Sequence, residues 1–211
     1  NMLMHVADSM GFTINTFTHI LEGYKVADKM AEHGAGGSSF SDWWAYKYEV
    51  KDAIPYNGAV LHGQGIVTAF NSDDAEMARR LNQEAAKAVK YGGVSEIEAL
   101  KFVTLNPAKL LRIDHLVGSI AVGKHADVVV WDEHPLSIYA RAEQTYVDGV
   151  RYFDLDADGE KRDWMRSERA RLTQAMKAGG ASGGSAEGPP RTPTEKLRTH
   201  YHCETLTDEN R

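Results

Sequence analysis

A single cysteine, Cys203, stands among 211 residues, so an intramolecular disulfide framework is excluded. No apolar run approaches the ~20 residues needed to span a bilayer, which excludes a transmembrane helix. Basic residues are in deficit: Lys+Arg number 24 against 30 Asp+Glu, a formal charge of −6, whereas a nucleic-acid binder would normally carry a basic patch. The first residues have neither a positively charged n-region nor a small-residue cleavage site, so they do not read as a signal peptide. What remains is an ordinary globular composition, 42% hydrophobic and 26% charged. The length is enough for one domain with an appendage or for two small domains.

The chain opens as if in mid-fold. Met2, Leu3, Val6 and Met10 recur at helical spacing, and Gly11 sits where a C′ glycine would stop the turn. Nothing caps the start, so the residues are expected to belong to a larger fold. A targeting segment could then lie upstream, which leaves the compartment open, with the cytoplasm favoured.

From Gly11 to about Asn71, strand-like and helical runs alternate. Phe12–Thr18, a weaker run at Ala35–Phe40, and Ile66–Phe70 read as strands. Leu21–His33 (stopped by Gly34), Ala53–Leu61 and Ala75–Tyr91 (closed by Gly92-Gly93) read as helices. This order at short spacing predicts parallel strands and an α/β architecture. Ser95 and Glu98 form a capping box, and Asn106-Pro107 reads as an N-cap followed by proline at the first helical position. The period then shortens. Residues 118–121, 126–131, 145–147 and 150–153 are expected as short strands, the last two joined by an Asp148-Gly149 turn. Glu160–Ala178 is a charged helical run, 179–185 a flexible linker stiffened at its end by Pro189-Pro190, and the remainder too polar to build a core. The expected domains are therefore 1–115, 116–155 and 156–211.

In parallel α/β folds, working residues gather at the carboxyl ends of strands. Three strand ends carry candidates: His19, then Asp42-Trp43-Trp44, then Ser72-Asp73-Asp74. An imidazole and a carboxylate facing one mouth suit a borderline cation such as zinc. The plainer alternative is that His19 caps the helix at Leu21 and that Asp73 or Asp74 caps the helix at Ala75. Of the Trp pair, one ring is expected to be buried and the other to line a pocket. Gly118–Lys124 has the glycine and lysine spacing of a P-loop, yet His125 replaces the hydroxyl residue and a strand follows, so it is rejected. His200, His202 and Cys203 are metal-capable but lack a fourth ligand nearby, and His62 reads as a surface or packing residue.

The runs Thr18-His19-Ile20-Leu21-Glu22-Gly23-Tyr24-Lys25, Phe40-Ser41-Asp42-Trp43-Trp44-Ala45-Tyr46-Lys47 and Asn71-Ser72-Asp73-Asp74-Ala75-Glu76 resemble barrel segments of the amidohydrolase superfamily, nearest its imidazolonepropionase-related branch. Thr104–Leu111, Val117–Ile120 and Gly123–Trp131 are similar to its carboxyl-terminal signature. The resemblance covers roughly residues 1–154. It implies a metal-dependent hydrolase of C–N bonds, in an amide or cyclic amide, built on a (β/α)8 TIM-type barrel with a small β-sandwich made from both chain ends. By that likeness, His19, Asp42 and Asp73 follow strands six, seven and eight. The His-x-His of the first strand and the ligands of the fourth and fifth have no counterpart, and His5 lies in the wrong element to replace one. The chain thus resembles a carboxyl-terminal piece: strands six to eight, a β unit and a tail.

The resemblance further implies that Asp73 and His19 act as metal ligands and catalytic groups, that Asp42, Trp43 and Trp44 bind substrate, and that one or two zinc ions serve in the intact enzyme. Partners are expected to be a small amide substrate and further copies of the chain, with no nucleic acid and no membrane. The rival expectation is a non-catalytic binding module that keeps the barrel's shape.

Overall fold

The computed structural model describes residues 1–182. Helix α1 (Met2–Ser9) ends at Met10, and Gly11 takes the left-handed conformation expected of a C′ glycine. Three strands follow: β1 (Thr16–Phe17), β2 (Gly36–Ser39) and β3 (Thr68–Phe70). They form one parallel sheet in the order β1-β2-β3, as the alternating pattern predicts. Between them lie α2 (Ala27–His33), stopped by left-handed Gly34, and α3 (Asn57–Gly63).

Strand β1 is much shorter than the run Phe12–Thr18, because the backbone before it bonds elsewhere. The Ile14 amide donates to His33 Nε2 at 2.8 Å, and the Asn15 side chain donates to Thr16 Oγ1 and the Leu110 carbonyl. A 3₁₀ turn at Gly23–Val26 replaces the first half of the helix expected from Leu21. Helix α3 starts later than Ala53, since Pro55 disfavours helical backbone at Ile54.

The helix expected over Ala75–Tyr91 is broken in two, α4 (Ala75–Ala78) and α5 (Leu81–Gly92). Arg80 leaves helical space (φ −127°, ψ 32°) while its Nε donates back to the Glu76 carbonyl. In α6 (Glu96–Lys101) the Ser95 cap is present, its Oγ accepting from the Glu98 amide. The Asn106 cap is not. Helix α7 (Leu105–Leu110) begins before it, and Asn106 turns inward to donate to the Thr68 carbonyl at 2.8 Å. Pro107 is tolerated as the third helical residue, because first-turn amides have no helical partner to lose.

Two apolar clusters back the sheet. Met4, Ala27, Met30, Leu61 and Ile66 unite the first three helices. Phe70, Ala88, Val94, Ala99 and Phe102 unite β3 with α5 and α6.

The later strands, β4 (Val128–Trp131), β5 (Ala142–Val147) and β6 (Val150–Asp154), make an antiparallel sheet in sequence order. Asp148 and Gly149 both have positive φ, as the hairpin turn requires. Among the described residues this sheet is a single layer, where a β-sandwich was expected. Residues 118–121 form no strand. That loop folds around Lys124, whose ammonium donates to the Val117 carbonyl, Ser119 Oγ (2.8 Å) and the Asp114 carbonyl. The lysine of the rejected P-loop is therefore committed to its own loop. Gly118 (φ +86°) sits so close to α7 that a Cβ would lie 2.7 Å from Ala108 Cβ and 3.0 Å from the Thr104 carbonyl oxygen. Gly118→Ala should accordingly cost about 3 kcal/mol in a denaturant titration, from left-handed strain plus backbone overlap.

Helix α8 (Leu155–Ser182) starts directly on β6, with Asp154 Oδ1 accepting from the Ala157 amide, and is longer than the predicted 160–178. The chain divides after Gly159.

Candidate functional site

Because β1, β2 and β3 are parallel, His19 and Asp73 leave the same edge of the sheet from its two outer strands. His19 Nε2 lies 3.4 Å from Asp73 Oδ1, with the two side chains 55% and 50% exposed. His19 holds a left-handed backbone (φ 53°), which costs an L-residue about 1–2 kcal/mol. Its turn is fixed on both sides: the Leu21 amide donates to the His19 carbonyl at 2.9 Å, and the Ile20 amide to the Ser38 carbonyl at 3.1 Å. Strained non-glycine backbone of this kind concentrates at ligand clamps and active sites. The imidazole is set 5.1 Å from the Phe40 ring.

The adjacent carboxylates diverge, as strand alternation implies. Asp74 has extended backbone and caps α4, its Oδ1 accepting from the Glu76 and Met77 amides at 2.9 Å each. Asp73 faces His19 instead. One carboxylate is therefore a cap and the other is available to chemistry.

After β2, an aromatic ladder leads away from His19. Trp43 stacks on Phe40 (4.2 Å, 8°), meets Tyr46 edge-on, and donates from Nε1 to Met77 Sδ at 3.1 Å. Trp44 is exposed and donates from Nε1 to the Lys51 carbonyl. Asp42 lies in an ionic cluster. It accepts from Lys87 Nζ at 2.7 Å and Ser41 Oγ at 3.3 Å, while Lys87 and Ser41 also donate to the buried Glu84 carboxylate. Burial works against the Lys87 ammonium, but the Asp42 and Glu84 carboxylates outweigh it and hold its pKa above the usual value.

A raised lysine pKa contributes stability in full below the unfolded value, and that contribution fades as pH rises through the folded one. Lys87→Met should lower stability by about 2 kcal/mol near neutrality. The gap to the unsubstituted chain should close above about pH 10.5, read as melting temperature against pH.

The His62 ring packs edge-on to Phe102 at 5.4 Å. His200, His202 and Cys203 lie outside the described residues. Among the described residues, no group of three or more His, Cys, Asp or Glu side chains is placed to hold an ion.

The amidohydrolase family profile matches residues 4–163. The chain belongs to the amidohydrolase family. It is 33% identical over 148 residues to the amidohydrolase tasK of Hapsidospora irregularis, a match covering 68% of this chain and 15% of that protein. To the urease subunit alpha of Yersinia pestis it is 36% identical over 90 residues, 35% of this chain and 16% of that one. A crystal structure of an amidohydrolase from Thermotoga maritima MSB8 superposes with a TM-score of 0.65 at 32% identity, over 72% of this chain and 40% of that one. The chain thus spans less than half the length of each of these relatives, and its mixed α/β fold corresponds to part of the Thermotoga amidohydrolase.

Several residues that shape this candidate site have no sequence signature. Glu84 and Lys87 read only as an i,i+3 surface pair on a helix. Asn57 lies inside the helix expected over Ala53–Leu61 with nothing to mark it, yet it is 2% exposed in the first turn of α3. Its Oδ1 accepts from the Tyr24 amide (2.9 Å), and its Nδ2 donates to the Ile20 carbonyl (2.9 Å) and to Ser39 Oγ (3.1 Å).

Proposed function

We propose that this amidohydrolase chain contributes His19 and Asp73 to a divalent-metal centre that hydrolyses C–N bonds in amides or cyclic amides, N-acyl dipeptides included. The observation that carries the reading is the convergence of these two side chains at one sheet edge, with Asp74 diverted to the cap. Their donor set, one imidazole nitrogen and one carboxylate oxygen, suits zinc. Their 3.4 Å separation is longer than a good hydrogen bond and close to the roughly 3.3 Å between two donors on a tetrahedral zinc. Catalytic zinc sites normally have three protein ligands plus water. The rest of the set would come from the part of the barrel that the relatives have and these residues do not span. Placement in the imidazolonepropionase-related branch rests on the residue runs quoted above.

When bound, such an ion supplies Lewis acidity toward a carbonyl oxygen and toward water. Asp73 takes the proton of the attacking water and returns it to the leaving nitrogen as the C–N bond breaks. His19 donates a hydrogen bond to the developing oxyanion or serves as a ligand. Trp43 and Trp44 offer an apolar wall for the substrate's side chain. Asp42, engaged by Lys87, acts on substrate by holding that loop in place. Self-association belongs to the same reading, because the outer edges of β1 and β3 have no strand partner among the described residues.

The test is metal removal from the complete enzyme. Chelation should reduce hydrolysis of N-acyl dipeptides and cyclic amides by more than about 100-fold, and zinc should restore it. Activity indifferent to chelation would sink the metal reading, and absence of hydrolysis at full metal loading would favour the binding module.

A further inference from the structure

We infer that Asn57 is the positioning residue that holds the His19 turn in its ligating form, an inference that rests on the reading of His19 as a metal ligand. His19 is one of the few non-glycine residues with left-handed backbone in the described chain, and such a conformation persists only where its surroundings over-determine it. The over-determination is visible one residue on. The Ile20 amide is tied to the Ser38 carbonyl at the end of β2, and the Ile20 carbonyl is tied to Asn57 Nδ2 at 2.9 Å. Both backbone groups of the residue after His19 are thus clamped, one by the sheet and one by a buried side chain.

The same amide is itself locked. Its oxygen accepts from the Tyr24 amide and its second N–H reaches Ser39 Oγ, so all the bonds its burial demands are made and its orientation cannot flip. Asn57 therefore ties the loop from His19 to Tyr24 to α3 and to the end of β2 with one rigid group. Nothing in that arrangement touches the reacting atoms. It acts only through where it places the imidazole, and outer partners of metal ligands typically change metal affinity 10–100-fold when removed.

The experiment is a zinc titration of the metal-stripped complete enzyme, unsubstituted and in four variants, with zinc alone as probe and thermal stability measured alongside. His19→Ala should weaken zinc binding by more than about 10-fold, which tests the underlying reading. Asn57→Asp keeps the acceptor for Tyr24 but replaces the donor to Ile20 with a repelling oxygen; it should weaken zinc binding about 10–100-fold. Ser39→Ala removes the other bond of the same Nδ2 and leaves the Ile20 bond intact. It should lower stability while zinc affinity stays within about twofold. If Asn57→Asp does not fold, Asn57→Ser, smaller and still polar, carries the same comparison.

An Asn57 variant within about twofold of the unsubstituted chain, beside a weakened His19→Ala, would overturn the inference and leave the metal reading standing. Equal weakening by Ser39→Ala and the Asn57 variant would reduce Asn57 to general support and overturn it as well. Zinc binding absent, or unmoved by His19→Ala, would bring down the metal reading and the inference together.

Discussion

Asp73→Asn in the complete enzyme is expected to lower turnover by at least ~1,000-fold, about 4 kcal/mol of transition-state stabilisation, at matched folding and metal content. The substitution removes a charged oxygen donor and the group that carries the proton. Asp74→Asn is expected to leave turnover within about twofold, because Asn caps a helix about as well as Asp. Asp74→Ala should cost about 1 kcal/mol in stability, through the two α4 amides left without their 2.9 Å partner. The pair of adjacent acids is thus its own control, since one residue separates a chemical role from a structural one. Equal loss of activity in the two Asn variants would show that the wrong carboxylate had been assigned.

Phe102→Ala should destabilise the fold by about 4 kcal/mol, read as a drop in denaturant midpoint at constant slope. Phe102 is fully buried, edge-on to Phe70 at 5.2 Å and 85°, with the His62 ring on another side. Its carbonyl also accepts from the Phe70 amide at 2.8 Å, so ring and backbone together fasten the end of α6 to β3. Deleting the ring leaves a cavity beside β3, the strand that leads into Asp73, among the Ala88, Val94 and Ala99 contacts that limit its collapse. Phe102→Leu should cost about 1.5 kcal/mol. A loss below about 1 kcal/mol for Phe102→Ala would mean that α6 can close over the space.

The parts of the fold legible in the sequence are those set by local chemistry. Ser95 with Glu98, Asp74 before Ala75, Gly34 after His33 and Asp148-Gly149 each place a specific backbone demand beside a residue that meets it. The alternation of strand and helix gave the parallel sheet for the same reason. What stayed hidden depends on partners distant in sequence. Asn106 looks like a cap until the Thr68 carbonyl, 38 residues away, claims its side chain. Residues 118–121 look like a strand until Lys124 gathers the Asp114 and Val117 carbonyls around itself. At the site, strand ends and family likeness were enough to single out His19 and Asp73. Asn57, Ser39 and the Glu84–Lys87 pair escaped notice because buried polar residues are defined by what they meet, not by any spacing of their own.

The middle strand of the parallel sheet, Gly36-Gly37-Ser38-Ser39, is built almost entirely from residue types with no preference for strand. A Cβ added at Gly36 would overlap Leu110, and one at Gly37 would lie in close contact with Leu61, Ile20 and Met30, so neighbours fill the space that its own side chains would occupy. Such a strand cannot nucleate. It takes shape only once β1, about twenty residues earlier, and β3, about thirty later, are at hand to pair with it. Parallel pairings at those separations must meet the loop-closure entropy first, which places the assembly of the His19–Asp73 edge late in folding and makes it slow.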